Sequence, residues 1–300
     1  MPRRIIIDTD PGIDDAVAIL LALASPELEV LGLVAVAGNL PLSITERNAR
    51  GLVELAGRTE IPVFAGCPRP MGRRLISAEH VHGGSGLGGL VLPPPTVPSR
   101  PEHGVDFLIA RLRAAAPNSV TLCALGPLTN IAVALVMAPE ITAAIGELVL
   151  MGGASRVPGN MTPTAEFNIY VDPHAAALVL DSGVPITMIS LDVTAELRCT
   201  PEHLALLRQL ATRCGAAAAS LIGPGMAMHD PCVIAYLIAP ELFQGRQVNV
   251  AVETQSPLAT GMTVVDWRGV SGRPTNARFI EAVDGDGFFR LLTERIARLP

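Results

Sequence analysis

Four carboxylates crowd into eight positions near the start of the chain, where Asp8, Asp10, Asp14 and Asp15 stand in the run DTDPGIDDA. An apolar segment, RRIII, precedes them, and an unbroken apolar stretch, AVAILLALA, follows. Acidic side chains in the first turn of a helix meet the positive end of its dipole, a capping role that stabilises by roughly 0.3–1 kcal/mol each. Capping accounts for one or two such groups and leaves the others unexplained. With no basic residue inside the motif, and Arg4 at the far end of the preceding segment, the carboxylates should raise one another's pKa unless a cation neutralises them. A set of Asp oxygens without His or Cys at ligand spacing suits a hard ion, Ca²⁺ or Mg²⁺, better than zinc. On these residues alone, a metal site and a capped helix both stand.

The elements that would position this cluster follow from the pattern of apolar runs. Strands are expected at Arg4–Asp8, Val30–Ala37, Pro62–Ala65, Val120–Leu125, Glu147–Met151 and Ile186–Leu191, with little polar alternation, as for strands covered on both faces. Helices are expected between them at Asp14–Ala24, Ser43–Gly57, Gly104–Ala115, Leu128–Met137, Pro173–Asp181 and Pro201–Thr212. Pro11 suits the start of the first helix, where its missing N–H costs nothing. The final third adds a helix at Pro231–Ile238, strands near Gln247–Glu253 and Met262–Asp266, a turn-rich loop at Arg268–Pro274 and a closing helix at Gly287–Leu299. Strand and helix in alternation imply an α/β fold, an open, mainly parallel sheet flanked by helices. The Pro-rich Val91–Pro101 segment reads as a rigid surface connection, so residues 1–300 are expected to form a single domain.

Composition narrows the function. Of 300 residues, 49% are hydrophobic and 17% charged, enough for a large core. A net charge of −6 with no basic stripe argues against nucleic acid as partner. The chain contains no Lys, which excludes Schiff-base and P-loop lysine chemistry. Its five cysteines are odd in number and lack ligand spacing, so they read as reduced thiols. No signal peptide fits before the first strand, and no apolar run reaches the ~18 residues of a membrane span. A cytoplasmic protein with no membrane partner is the expectation.

In a parallel sheet, ligands bind beyond the carboxyl ends of the strands. Those exits are Asp8–Asp15, Gly38–Asn39, Leu125–Asn130, Met151–Asn168 and Asp192–Thr194, with His229–Asp230 entering a late helix. Across them the chain resembles the nucleoside hydrolases. DTDPGIDDAVAILLAL at Asp8–Leu23 resembles their signature, and further segments match in order: VAGN at Val36–Asn39, HVHGGSGLGG at His80–Gly89, LGPLTNIA at Leu125–Ala132, LMGG at Leu150–Gly153, GNMTPTAEFN at Gly159–Asn168, DPHAA at Asp172–Ala176 and MHDPCVIAY at Met228–Tyr236. The similarity spans essentially the whole chain.

The resemblance implies a Rossmann-like nucleoside hydrolase fold with Ca²⁺ at the strand ends, and hydrolysis of ribonucleosides to ribose and free base. Its metal ligands would be Asp10, Asp15, Asp230 and the carbonyl of Leu125, completed by water and two ribose hydroxyls. Asp10 would take the proton of the attacking water. Asp14, Asn39, Asn160, Glu166, Asn168 and Asp230 would hold the ribose, with the backbone around Met151 beneath the sugar. His229 would protonate the departing base, and His82, in the flap His82–Leu90, would face the base or the ribose edge. Asp10, His229 and Asn168 are thus the expected catalytic group, and a homodimer or homotetramer is the expected assembly.

Each residue also has a plainer reading. Asn39 and Asn160 are ordinary turn residues, and Glu166 and Asn168, two apart, could share one face of an extended segment. The flap's GSGLGG fits a dinucleotide fingerprint but lacks the required strand and helix on its flanks. Between Pro201 and His229 no aromatic residue offers a base-stacking platform, so the nucleobase preference stays open. One rival is a haloacid-dehalogenase-type phosphatase using Asp8 as nucleophile, Asp10 as acid/base and Mg²⁺. Gly12 and the missing lysine count against it. The other rival is a non-catalytic nucleoside-binding protein, which would be marked by a lost metal ligand, and none is lost.

Overall fold

The first strand sets the layering. In β1 (Arg3–Thr9) the side chains alternate, with Ile5 and Ile7 packed into one apolar layer and Ile6 into the other, all three fully buried. The computed structural model describes residues 1–300, and the remaining strands are β2 (Leu28–Ala35), β3 (Val63–Ala65), β4 (Val120–Ala124), β5 (Ile145–Met151), β6 (Ile186–Ile189), β7 (Phe243–Val252), β8 (Thr263–Asp266) and β9 (Ala277–Val283). The helices are α1 (Ile13–Leu23), α2 (Leu42–Leu55), α3 (Glu79–His82), α4 (Gly104–Arg113), α5 (Thr129–Met137), α6 (Phe167–Val171), α7 (Pro173–Leu180), α8 (Leu191–Thr194), α9 (Pro201–Arg208), α10 (Arg213–Leu221), α11 (Pro231–Ile238) and α12 (Gly285–Ile296).

One nine-stranded sheet runs β3-β2-β1-β4-β5-β6-β9-β7-β8, parallel from β3 through β9 and antiparallel on both sides of β7. Strand order reverses at β1, so the loops leaving β1 and β4 part to opposite sides and open a crevice there. One face carries α4, α5 and α7; the other carries α1, α2 and α9–α12. Helix α1 is buried from Asp14 to Leu23, enclosed by α2, α10, α11 and α12, which explains why its sequence is apolar all round. Its acidic first turn is therefore presented from inside the protein.

The expected α/β sheet and the elements of its first two thirds are present. Three differences stand out. The strand β9 differs from the expectation, because Arg278 and Glu281 interrupt the apolar run of ARFIEAV on a half-covered surface. The single helix expected at Pro201–Thr212 ends at Arg208, and a second, α10, starts behind the Thr212 cap, whose hydroxyl accepts from the Gly215 amide. Finally, Glu166 and Asn168 do not lie on an extended segment: Glu166 caps α6 and Asn168 sits in its first turn. No helix is long and apolar enough to cross a membrane.

Candidate active site

The four acids fall into different surroundings where β1 ends and α1 begins. Asp8 follows Ile6 onto the α5 side, where its Oδ2 accepts from Asn130 Nδ2 at 2.9 Å. Burial there pushes its carboxyl up to about 8, against the opposing Asn130 hydrogen bond. A residue sealed against α5 cannot act as a nucleophile in the crevice, and this removes the phosphatase reading. Asp10, beyond the strand, turns the other way. Its Oδ2 accepts the Asn39 amide at 2.6 Å, while its Oδ1 is buried with no partner. Gly38 and Gly126 flank it so closely that a Cβ on either would collide with an Asp10 carboxylate oxygen, which is why these strand exits need glycine.

Asp15, in the first turn of α1, is held from several sides. Its Oδ1 accepts from Thr9 Oγ1 at 2.6 Å, and its Oδ2 accepts from the Gly12 amide at 3.0 Å and Asn39 Nδ2 at 3.1 Å. Asp230 arrives from the loop before α11, fixed by Pro231 in the first helical position. Ligand oxygens of Asp14, Asp15 and Asp230 lie within 4.8 Å of one another. Asp10 is beside this trio but is not part of it. Burial, reinforced by the neighbouring carboxylates, pushes Asp10, Asp15 and Asp230 well above the ordinary carboxylate range. None of the eight ion pairs in the protein involves these acids. A buried acidic trio, the orphaned Asp10 Oδ1 and the carbonyl of Leu125 form an all-oxygen donor set that could hold a hard divalent cation.

The walls are built by side chains that brace neighbouring strand exits. Asn168 Nδ2 donates to the carbonyl of Leu125 after β4 (2.7 Å) and to that of Met151 ending β5 (3.2 Å), leaving Leu125 a second lone pair. Glu166 accepts three backbone amides, from Asn168 (2.8 Å), Gly153 (3.0 Å) and Ile169 (3.1 Å). Burial outweighs these bonds and raises its carboxyl to about 7. Asn160 Oδ1 accepts the Phe167 amide at 2.9 Å. His82 ends α3, and its Nδ1 accepts the Ile13 amide at 3.0 Å, which puts the ring proton on Nε2. A Cβ at Gly12 would press on that ring at 2.6 Å. His229 Nδ1 meets Thr194 Oγ1 at 2.7 Å, and burial lowers the pKa of its ring.

These groups surround one cavity of about 460 Å³. Of the twelve residues singled out from the sequence, ten line it, and the other two, Asp10 and Asp15, lie fully buried under its floor. The apolar part of the wall, Ile13, Val81, Met161, Phe167 and Met226, carries no signal in the sequence. Val81 and Phe167 each stand between two polar site residues, and a helical rather than extended backbone is what turns them toward the cavity.

Comparison with known proteins agrees with the fold. Residues 5–290 match the family model described as inosine-uridine preferring nucleoside hydrolase. A pyrimidine-specific ribonucleoside hydrolase, RihA, of Photobacterium profundum is 44% identical, with 99% of each chain covered. An uncharacterised protein of Schizosaccharomyces pombe is 48% identical over 99% of this chain and all of its own. Among solved structures, the purine-preferring ribonucleoside hydrolase from Gardnerella vaginalis superimposes with a TM-score of 0.91 at 32% identity over 98% of both chains. An inosine-guanosine nucleoside hydrolase gives 0.92 at 29% identity over the full length of both. An α/β enzyme that hydrolyses N-glycosidic bonds is the class these features define. The chain belongs to the inosine-uridine preferring nucleoside hydrolase family, and its substrates are ribonucleosides.

Proposed function

We propose that this enzyme is a Ca²⁺-dependent hydrolase of pyrimidine ribonucleosides. The observation that carries the reading is convergence: polar residues from five separate chain segments meet in one cavity above two sealed aspartates. Asp10, Asp15, Asp230 and the Leu125 carbonyl would hold the ion, which supplies an acidified water and an anchor for vicinal hydroxyls. Asp14, at the cavity wall, is then free to bind the ribose.

Asp10 takes the proton of the attacking water through its unpartnered Oδ1, while Asn39 holds the other oxygen. Asn39, Asn160, Glu166 and Asn168 grip the ribose hydroxyls and fix the sugar over Met151, which provides the orientation component of the rate. Positive charge growing on the sugar ring meets the carboxylates of Asp14 and Glu166. His229, positioned by Thr194, is placed to donate a proton to the leaving base from its imidazolium form, which burial makes a less populated but stronger acid, and His82 presents Nε2 along the same wall. The pyrimidine assignment rests on the 44%-identical relative and on an apolar wall of Val81, Met161, Phe167 and Met226 suited to a single small ring.

Steady-state kinetics across uridine, cytidine, inosine and guanosine test this reading. Uridine or cytidine should have the highest kcat/KM, and deoxyribonucleosides should react far more slowly, because they strand the polar groups aimed at the 2′-hydroxyl. Preference for inosine or guanosine would overturn the base assignment. Equal turnover of deoxyribonucleosides would overturn the ribose assignment.

A further inference from the structure

A second concavity, of about 740 Å³, lies at the amino ends of the strands, opposite the active site, and shares no lining residue with it. Only four of its eighteen lining residues are hydrophobic. Its floor is a polar row contributed by the strands: Arg3 on β1, Glu147 on β5, Thr187 on β6, Arg278 on β9 and Gln247 on β7. Thr187 is in register with Arg278, and Arg278 with Gln247, so these side chains share one face of the sheet.

The first part of the row satisfies itself. Arg3 donates to Thr121 Oγ1 at 2.9 Å and pairs with Glu147, which also accepts from Thr187 Oγ1 at 2.7 Å and from the Tyr236 hydroxyl at 3.4 Å. The charge of Glu147 is thereby fully answered. Arg278, next along, is left over: it takes part in no ion pair, and its Nε is buried without an acceptor. Of the three arginines with such an Nε, Arg111, Arg278 and Arg295, it is the one that lines this cavity. Arg273, exposed at the rim, adds a second guanidinium without an ion pair. The lining acid at the rim, Asp181, is exposed and pairs with nothing.

A guanidinium fork is shaped for bidentate contact with a tetrahedral or planar oxyanion, and polar walls around it leave little for an apolar ligand to bury. We propose that this cavity binds a phosphate oxyanion through Arg278 and Arg273, supplied either as free phosphate or as the phosphate of a small sugar phosphate.

Calorimetric titration of the full chain with inorganic phosphate, with ribose 5-phosphate and with plain ribose tests the site, repeated on Arg278→Gln, Arg278→Lys and Arg273→Gln. Binding of the phosphate compounds should weaken by roughly tenfold or more in Arg278→Gln, as for loss of a charge-assisted contact, and less in Arg278→Lys. Arg273→Gln, at an exposed position, provides a variant whose folding is not at issue and should weaken binding as well. Tighter binding of ribose 5-phosphate than of phosphate, undisturbed by excess ribose, identifies a sugar phosphate as the ligand; equal binding identifies free phosphate. Absence of heat with either compound at millimolar concentration, or equal affinity in wild type and all three variants, would overturn the proposal.

Discussion

Asp8 and Asp10 differ by two positions and by everything in their surroundings. Each accepts a hydrogen bond on Oδ2 and keeps a buried Oδ1 without a protein partner, but Asp8 is bonded to Asn130 on α5, whereas Asp10 is gripped between Gly38 and Gly126 at the strand exits, beside the acidic trio. Their neutral isosteres should therefore behave differently. Asp10→Asn removes the acceptor for the water proton and should lower kcat by roughly 10²–10⁴-fold, the usual worth of a general base. It should leave the metal-free melting temperature equal or higher, because a repelled buried charge is gone. Asp8→Asn keeps the Asn130 bond and replaces a group that, with its carboxyl pushed to about 8, is mostly protonated at neutral pH. It should retain kcat within a few-fold. Comparable kcat losses in the two variants would remove the distinction drawn between them.

At the scale of elements, the site depends on strand exits approaching more closely than side chains permit and on a short helix whose cap is also a wall. Gly126→Ala sets a Cβ against the Asp10 carboxylate, and displacement of that carboxylate by about 1 Å should cost on the order of 10² in kcat/KM with the circular dichroism spectrum unchanged. Glu166→Gln leaves a single side-chain oxygen for the three backbone amides now served by two. Urea unfolding should show a loss of about 1–3 kcal/mol, the cost of one buried unsatisfied donor. Wild-type stability in that variant would mean that the α6 cap is dispensable.

The same scale explains what could be read from the sequence. Loop polar groups at strand exits, Asp10, Asn39 and Asp230 among them, stand out against apolar surroundings, and the rule that ligands sit at those exits leads directly to them. Val81, Met226 and Ile13 could not be recognised, since an apolar residue facing a cavity looks like any core residue. Asn168 is legible through its motif but its backbone is not, because spacing of two does not distinguish a strand face from a helix cap and its first turn. β9 escaped for a related reason: Arg278 and Glu281 break its apolar pattern at positions where the sheet face is open.

For the molecule as a whole, burial of so many acids makes stability depend on pH in an unusual direction. A carboxylate whose folded pKa lies above its unfolded value stabilises fully below the unfolded value, near 4, and that contribution is lost as pH rises through the folded value. Asp10, Asp15 and Asp230 are shifted upward, as are Glu166 to about 7 and Asp8 to about 8. Surface acids shifted downward, such as Asp266 to about 2, act in the opposite sense but only at pH below the ordinary carboxylate range. Chelator-treated protein should therefore melt at progressively lower temperature between pH 5 and pH 8. Calcium competes with protons for the same oxygens, so its stabilisation should grow over that interval, reaching about 2.7 kcal/mol where its concentration is a hundred times Kd. Differential scanning fluorimetry at pH 5, 6, 7 and 8, with chelator, with Ca²⁺ and with Mg²⁺, measures both trends. A metal-free melting temperature that climbs with pH would contradict the burial of uncompensated carboxylates. A calcium-induced shift equal at pH 5 and pH 8, or matched by Mg²⁺, would contradict the proposed ion and its ligands.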